Sequence, residues 1–390
     1  MKILYCALAI DISGSHGGAT HVREVTNGLA ALGHEVRVIV RGTAAHRPRA
    51  RLNARVTYLT APPKLAWAAT PRVRKVVNDW QPDIIIERFY TFAGGGMLAA
   101  HTHTIPAILE VNAPVFDPPG SAKDRVDRCI GSAMRRWASQ QCRWADAIVT
   151  PLATTVPAAV REKVIPLQWG ANVQHFDPTH YARTGPAVQA LRRRYDIAPA
   201  APVVGFVGSF RTWHGAAEAI RAFPRVRAQV PDAALLLVGD GPERQTLERA
   251  VRVASQPGIA FTGAVPYHDV PLHLALCDVA VAPFVPSLHP PLRSFGFYWS
   301  PLKVFEAMAM TVPVVTTAVA PLTEIVRGAG IAVPERDTDA LASAIVTLLQ
   351  DAERRAAMGA IGRARVVAEW SWEAHCRHLD TLMTTLVTHR

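Results

Sequence analysis

Gly296-Phe-Tyr-Trp-Ser-Pro-Leu-Lys-Val-Phe-Glu-Ala-Met-Ala-Met310 reads as a loop that runs through Ser-Pro into an apolar helix. Glu306 falls in the first turns of that helix. A helix N-terminus offers unpaired N–H groups and the positive end of a dipole, so it suits a phosphate. Val312–Thr316 (Val-Pro-Val-Val-Thr) follows as a short buried strand. Loop, helix and strand in this order fit an α/β nucleotide site. The loop amides would hold phosphates, and the helix carboxylate would accept hydrogen bonds from sugar hydroxyls. Taken alone, the segment is also compatible with a proline-started helix in any α/β protein.

The flanking sequence narrows the choice. Apolar runs alternate with helix-like stretches along the chain, which predicts parallel sheets with helices on both faces. In the first half the strands are expected at 3–10, 36–40, 84–87, 107–111, 147–150 and 164–167. In the second half they are expected at 203–207, 234–238, 259–262, 279–283, 312–316 and 331–333. A first helix is expected over 20–32, stopped by Gly33. Three more are expected over 338–350, 353–369 and 371–388. At 390 residues the chain exceeds one typical core. Each half can build its own doubly wound sheet. The pattern breaks between Pro178 and Pro202, which sets the expected domains at 1–190 and 200–371.

Glycine-containing turns follow four of the expected strands: Ser13–Ala19, Gly208–Gly215, Gly239–Pro242 and Thr262–Pro266. In open α/β sheets ligands sit at the carboxyl ends of strands, where glycine lets a backbone approach a phosphate or base. None of these turns is Gly-x-Gly-x-x-Gly or a Walker Gly-Lys-Ser/Thr, which disfavours hydride transfer and ATP hydrolysis.

The second half resembles the donor domain of the retaining glycosyltransferases of family 4. The resemblance rests on Gly205–Phe210 with Trp213-His214-Gly215, Leu236–Pro242, Phe261-Thr262-Gly263, Ser300–Glu306 and Pro313-Val314-Val315. The first half is similar more loosely, through Gly17-Gly18-Ala19 with His21, Gly33–Val36, Glu110-Val111-Asn112, Ala145–Val149 and Asn172–Pro178. The resemblance implies the GT-B fold: two Rossmann-like domains facing a cleft, with the C-terminal helix (372–390) crossing back to the N-terminal domain. It implies a retaining transferase that moves a sugar from a nucleoside-diphosphate sugar, such as a UDP-sugar, to an acceptor hydroxyl. Domain closure would exclude water.

Position by position, the resemblance implies that Glu306 holds the ribose hydroxyls. The backbone at Ser300, Pro301 (carbonyl only), Leu302 and Lys303 would face the diphosphate, and Val265 beyond Gly263 would bracket the base. Gly208 and Gly239 would line the donor site. Gly17 and Gly18 would let the first domain close on the diphosphate. The chain departs from the family pattern at three places. The first carboxylate of the E-x7-E pattern falls at Tyr298, and the usual Arg and Lys on the diphosphate fall at Ser209 and His214. Arg211, Arg293 or Lys303 is expected to compensate, since charge develops on the leaving diphosphate. The acceptor-side histidine falls near Asn112. Glu110 ends a strand and is expected to point into the cleft, unless it is a salt-bridged structural residue.

The net charge of +11 is one-sided: residues 1–195 carry 25 Lys+Arg against 13 Asp+Glu. This suggests an anionic or lipid-linked acceptor, or a peripheral membrane contact. Solvated arginines on helix faces would give the same count. The stretch 126–144, with Ile130, Met134, Trp137 and Trp144 among arginines, reads as core packing in preference to a membrane face. No aromatic stacking platform accompanies the arginines, which argues against nucleic acid. Five scattered cysteines without Cys-x-x-Cys argue for a reducing, cytoplasmic setting and against zinc. Nothing reads as a metal-diphosphate Asp-x-Asp pair, so no metal or other cofactor is expected. An epimerase or hydrolase of the same architecture, and a non-catalytic nucleotide-sugar scaffold, remain as rival readings.

Overall fold

The computed structural model describes residues 1–13, 17–42 and 52–389. Gly14, Ser15 and His16 of the first glycine turn lie outside them. The chain divides into two compact units. One comprises Met1–Trp169, Ser294–Ser300 and Trp372–Arg390; the other comprises Gly170–Arg293 and Pro301–Ser371.

The first unit is built on seven parallel strands: β1 (Lys2–Asp11), β2 (Glu35–Arg41), β3 (Arg55–Leu59), β4 (Ile84–Arg88), β5 (Ala107–Glu110), β6 (Ala147–Thr150) and β7 (Val164–Pro166). Their spatial order is β3-β2-β1-β4-β5-β6-β7. β1 is apolar from Ile3 to Ile10 because both its faces are covered. Leu4, Cys6 and Leu8 enter one core layer, and Ile3, Tyr5 and Ala7 enter the other. The chain runs outward from β1 in one direction through β2 and β3, then returns to β4 on the other side. The carboxyl ends of β1 and β4 therefore flank a switch point, where such sheets bind ligands. The helix Gly17–Ala31 packs on the sheet, and Gly33 (φ 88°) ends it as a left-handed cap. The helix Trp372–Thr388 lies on the same layer through Trp372, Cys376, Leu379 and Met383. It comes so close that a Cβ on Gly28 would sit 2.4 Å from Cys376 Sγ.

The stretch 126–144 is two helices, not one. Ala122–Cys129 is separated from Ala133–Trp144 by Gly131 and Ser132, both at positive φ. Ala138 and Cys142 of the second helix are buried as core, whereas Val126 and Ile130 are more than half exposed. The packing expectation therefore holds only for residues after Ser132.

The second unit has six parallel strands: β8 (Val203–Val207), β9 (Ala234–Val238), β10 (Ile259–Gly263), β11 (Val279–Ala282), β12 (Val314–Thr317) and β13 (Gly330–Val333). Their order is β10-β9-β8-β11-β12-β13. The switch point here falls between β8 and β11. Residues Gly170–Pro202 cluster with this unit, so the compact boundary lies at Trp169/Gly170 and not between 178 and 202. The cause is local: Ala171 bonds to Trp370, and Arg363 Nη1 donates to Phe176 O at 2.9 Å. No helix among the described residues is long and apolar enough to cross a membrane. Cys6, Cys142, Cys277 and Cys376 are buried, whereas Cys129 is exposed; all five are free.

Candidate functional site

In the second unit the three glycine turns stand side by side at the ends of β8, β9 and β10, laced by amide hydrogen bonds. Gly208 N–H donates to Val238 O (2.9 Å), Gly239 N–H to Gly263 O (3.0 Å) and Phe210 N–H to Asp240 O (2.9 Å). Side chains would break this lacing. A Cβ on Gly239 would lie 2.0 Å from Gly208 O, and both residues sit at positive φ (133° and 146°). Val265 is half-buried two residues beyond Gly263.

The helix Leu302–Ala309 brings Lys303 to these turns. A Cβ on Gly208 would lie 2.6 Å from Lys303 Nζ. That Nζ is buried with no hydrogen-bond partner. It lies 4.5 Å from the ring centre of Phe206 and 5.0 Å from that of Phe284. Cation–π attraction offsets part of the lost hydration but supplies no acceptor. Burial pushes Lys303 down to about 7, against the opposing pull of Glu306. Burial likewise pushes Glu306 up to about 7, against Lys303. One turn apart, each is displaced toward neutrality by burial and drawn back by the other, in a site built from apolar rings.

Ser209 and His214 are also here. His214 Nδ1 lies 2.9 Å from Ser209 Oγ and 3.0 Å from Ser209 O. Burial first, and then the neighbouring Lys303, push His214 down to about 3, so it is neutral. The structure therefore brings Gly208, Ser209, Gly239, Gly263, His214, Lys303 and Glu306 into one group. Arg211 is exposed and leans over Trp213 (5.5 Å), and Arg293 is exposed on its helix. Among the described residues no hydrogen bond or ion pair joins either arginine to Lys303, but Arg211 stands at the edge of the group: its carbonyl accepts from His214 N–H (2.9 Å), and its charge helps to push His214 down. Pro301 gives its carbonyl to Val304 N–H (2.8 Å) and Phe305 N–H (3.2 Å), closing the helix start. The amides of Leu302 and Lys303 open the helix with no earlier turn to bond. Tyr298 and Ser300 lie in the segment grouped with the first unit. Burial raises the Tyr298 hydroxyl to about 12, and Ser300 Oγ accepts from Trp169 N–H at 2.8 Å.

The first unit holds a second group, around Glu110 at the end of β5. Tyr5 OH donates to Glu110 Oε2 (2.6 Å), and His21 Nε2 lies 3.2 Å from both oxygens. Burial acts to raise the Glu110 carboxyl, but His21, Arg88 and these hydrogen bonds together hold it at about 2. Burial pushes His21 below its ordinary value. At neutral pH the pair is therefore a carboxylate receiving an N–H from a neutral imidazole. Glu110 is 1 % exposed. It is a buried positioning group, hydrogen-bonded to Tyr5 and a neutral His21, not the cleft-facing catalytic carboxylate expected of it, because its lone pairs are occupied inside the core. Trp169 packs against His21 at a tilt (4.6 Å, 46°), donates Nε1–H to Asn112 Oδ1 and lies under Arg88 (5.2 Å). A Cβ on Gly17 would touch the Trp169 ring at 3.4 Å, and Gly18 is half-buried beside it. Asn112 Nδ2 and Arg88 Nη1 are buried donors without a partner. They are two of the unsatisfied buried polar groups of this unit, and both lie against Trp169.

Among the described residues, one group of donor side chains is close enough to hold a metal ion: His21, Glu110 and His375, with ligand atoms within 4.8 Å of one another. The Glu110 oxygens are already engaged and Arg88 adds a positive charge, so the chemistry favours this hydrogen-bonded carboxylate over a metal ion. Asp337-Thr338-Asp339 has the spacing of a metal-binding pair. However, Asp337 caps the helix Thr338–Gln350 through Ala340 N–H (2.8 Å), and Asp339 pairs with Arg225. The sequence signals named Lys303 and Glu306 but missed Phe206 and Phe284 as the cation's walls. They also missed Tyr5, Arg88 and His375, which are separated in sequence from Glu110 and meet it only in the fold.

The family model described as Glycosyl transferases group 1 matches residues 201–351, and that described as Glycosyl transferase 4-like domain matches residues 16–167. A GDP-mannose-dependent monoacylated alpha-(1-6)-phosphatidylinositol monomannoside mannosyltransferase from Corynebacterium glutamicum is 34% identical over 218 residues, 55% of this chain and 54% of that protein. A GDP-mannose-dependent alpha-(1-6)-phosphatidylinositol monomannoside mannosyltransferase from Mycolicibacterium smegmatis is 34% identical over 236 residues, 58% and 57% of the two chains. The matched region thus spans little more than half the length of these relatives. Among solved structures, Anabaena Alr3699/HepE in complex with UDP superposes with a TM-score of 0.71 at 18% identity, over 99% of this chain and 100% of that one. That likeness is one of fold.

Proposed function

Because this chain belongs to the glycosyl transferases of group 1, we propose that it transfers a sugar from a nucleoside-diphosphate sugar to an acceptor hydroxyl, with retention of anomeric configuration. The observation that carries the reading is Lys303: a buried ammonium with no hydrogen-bond partner, at the rim of Gly208 and one helical turn before Glu306. A dianionic diphosphate supplies what it lacks. Lys303 takes the place of the cations that Ser209 and His214 no longer provide. It neutralises charge as the sugar–oxygen bond breaks, together with the first amides of its helix. Glu306 accepts from the ribose hydroxyls. The ring faces of Phe206 and Phe284 keep water from Lys303, which strengthens its attraction to the phosphate.

The first unit is the side assigned to the acceptor. Asn112 Nδ2 and Arg88 Nη1 offer donors to its hydroxyl or to an anionic head, and Glu110 holds His21 and Tyr5 behind them. No side chain of either group is poised as a general base, because Glu110 is enclosed and His214 is tied to Ser209. This favours a front-face displacement in which the departing diphosphate oxygen takes the acceptor proton. No metal enters this scheme.

The test is a panel of nucleotide sugars, GDP-mannose and UDP-glucose first, with and without lipid and small-molecule acceptors. Release of nucleoside diphosphate that rises with an acceptor, giving a product of unchanged anomeric configuration, is expected. Equal release without acceptor would move the assignment to a hydrolase or epimerase.

A further inference from the structure

Outside the two polar groups, the first unit contains a cavity of about 390 Å³. Its walls begin where β4 and β5 end: Tyr90 and Phe92 follow β4, and Val115 and Phe116 follow β5. The helices Ala122–Cys129 and Ala133–Trp144 complete it with Val126 and Met134. Strand ends are where a sheet of this kind presents ligands, and the volume lies within the range of small-molecule sites. Tyr90 is two residues past Arg88 and Val115 three past Asn112, so the cavity continues from the strands that carry the unpartnered donors.

Acidic residues also border the cavity, but each is engaged. Asp124 accepts from Gly120 N–H (2.8 Å) and pairs with Arg128 (2.9 Å) and Arg135 (3.0 Å). Asp127 accepts from Met134 N–H (2.9 Å) and Arg135 N–H (3.2 Å), capping the second helix. Asp117 pairs with Lys123 at 3.5 Å. Arg135 is laid over the Phe116 ring, 4.4 Å away. Lys64, exposed to water, and Thr91 also line the cavity; the rest of the surface left to a guest is ring faces, a thioether and Val126, whose side chain stands exposed at the wall. A hydrocarbon laid on these ring faces gains from leaving water.

We infer that this cavity holds an apolar tail of the acceptor, so that the acceptor is an amphiphile: a hydroxylated head with an alkyl or aromatic group. The inference rests on the transferase reading for the word acceptor, but the binding it asserts can be measured without turnover. The tail belongs either to a membrane lipid or to a soluble glycoside.

The experiment titrates the full chain with methyl and n-octyl β-glucoside, the latter below its micelle concentration, by calorimetry. Octyl over methyl is expected to bind at least about 50-fold tighter, the gain for burying roughly three methylenes. Met134→Trp fills the cavity and is expected to remove most of that preference. Val126→Glu changes an exposed side chain and so keeps the fold, and it is expected to reduce the preference as well. Equal binding of the two glucosides, or a preference unchanged in both variants, overturns the inference. Co-sedimentation with phosphatidylglycerol vesicles that Val126→Glu weakens assigns the tail to a lipid. Octyl preference without co-sedimentation assigns it to a soluble amphiphile. Absence of sugar transfer with every acceptor, alongside intact octyl binding, would count against the transferase reading and leave the cavity's chemistry standing.

Discussion

Lys303 and Glu306 show how two residues one turn apart acquire opposed, site-specific chemistry. Each is displaced toward neutrality by burial, and each is drawn back by the other. For Lys303 the folded value of about 7 lies below the ordinary range, so its charge is full below pH 7 and is lost as pH rises through it. Affinity for UDP or GDP should therefore fall between pH 6 and pH 8.5, measured by calorimetry in the absence of sugar. A flat profile would mean that Lys303 does not meet the diphosphate. Lys303→Met should weaken nucleoside-diphosphate binding about 10- to 100-fold, the usual worth of a charge-assisted hydrogen bond. Glu306→Gln should act on a different part of the ligand. It should erase most of the preference for GDP over its 2′-deoxy form, and an unchanged ratio would place the ribose elsewhere. Lys303 could be named from the sequence because it precedes Glu306 on one expected helix. The enclosure that makes it reactive could not, since Phe206 lies in β8 and Phe284 in the loop after β11, far from each other in sequence.

At the scale of elements, the sheets show why some strands are legible and one is not. β1, β4 and β11 read plainly because both faces are covered and each carries an unbroken apolar run, at 3–10, 84–86 and 279–282. β3 was missed: it is an outer strand whose residues from Arg55 to Tyr58 are not buried, so no apolar run marks it. The expected strand at 312–316 begins later, at Val314, because Pro313 has no N–H for the ladder. Close approach of elements is equally hidden until the fold is seen. Gly28 reads as an ordinary helix glycine, yet it is where the C-terminal helix presses Cys376 against the first helix. Gly28→Val should therefore destabilise the protein by about 1–3 kcal/mol through overpacking, read as a lower urea midpoint, even though valine stays apolar. A midpoint equal to wild type would show that the helices can separate freely.

Across the whole molecule, acid tests the buried carboxylate of the first unit. Glu110 is held at about 2 when folded and returns to roughly 4.3 when unfolded. Its contribution is present above the unfolded value and is lost as pH falls toward the folded one. The urea midpoint of wild type should decline from pH 5 to pH 3, and Glu110→Gln should flatten that decline. A parallel decline in both would assign acid sensitivity to other groups. The uneven charge, 25 basic against 13 acidic residues up to residue 195, is a property of the chain that could be counted in advance. What it is for could not, because the arginines between 125 and 135 are occupied partly with Asp124, Asp127 and Phe116.

The five thiols give the molecule a built-in clock for its own unfolding. Burial pushes Cys142, Cys277 and Cys376 up to about 12 and Cys6 well above its ordinary value, which makes all four poor nucleophiles in the folded chain. Cys129 alone stands in water, on the helix that walls the apolar cavity. A maleimide at neutral pH should add one label quickly and the remaining four only as each core opens. Because Cys6, Cys142 and Cys376 belong to the first unit and Cys277 to the second, mass spectrometry of the labelled peptides would time the melting of the two sheets separately. The fast label would leave a fluorophore one turn from Val126, where it can report on whatever enters.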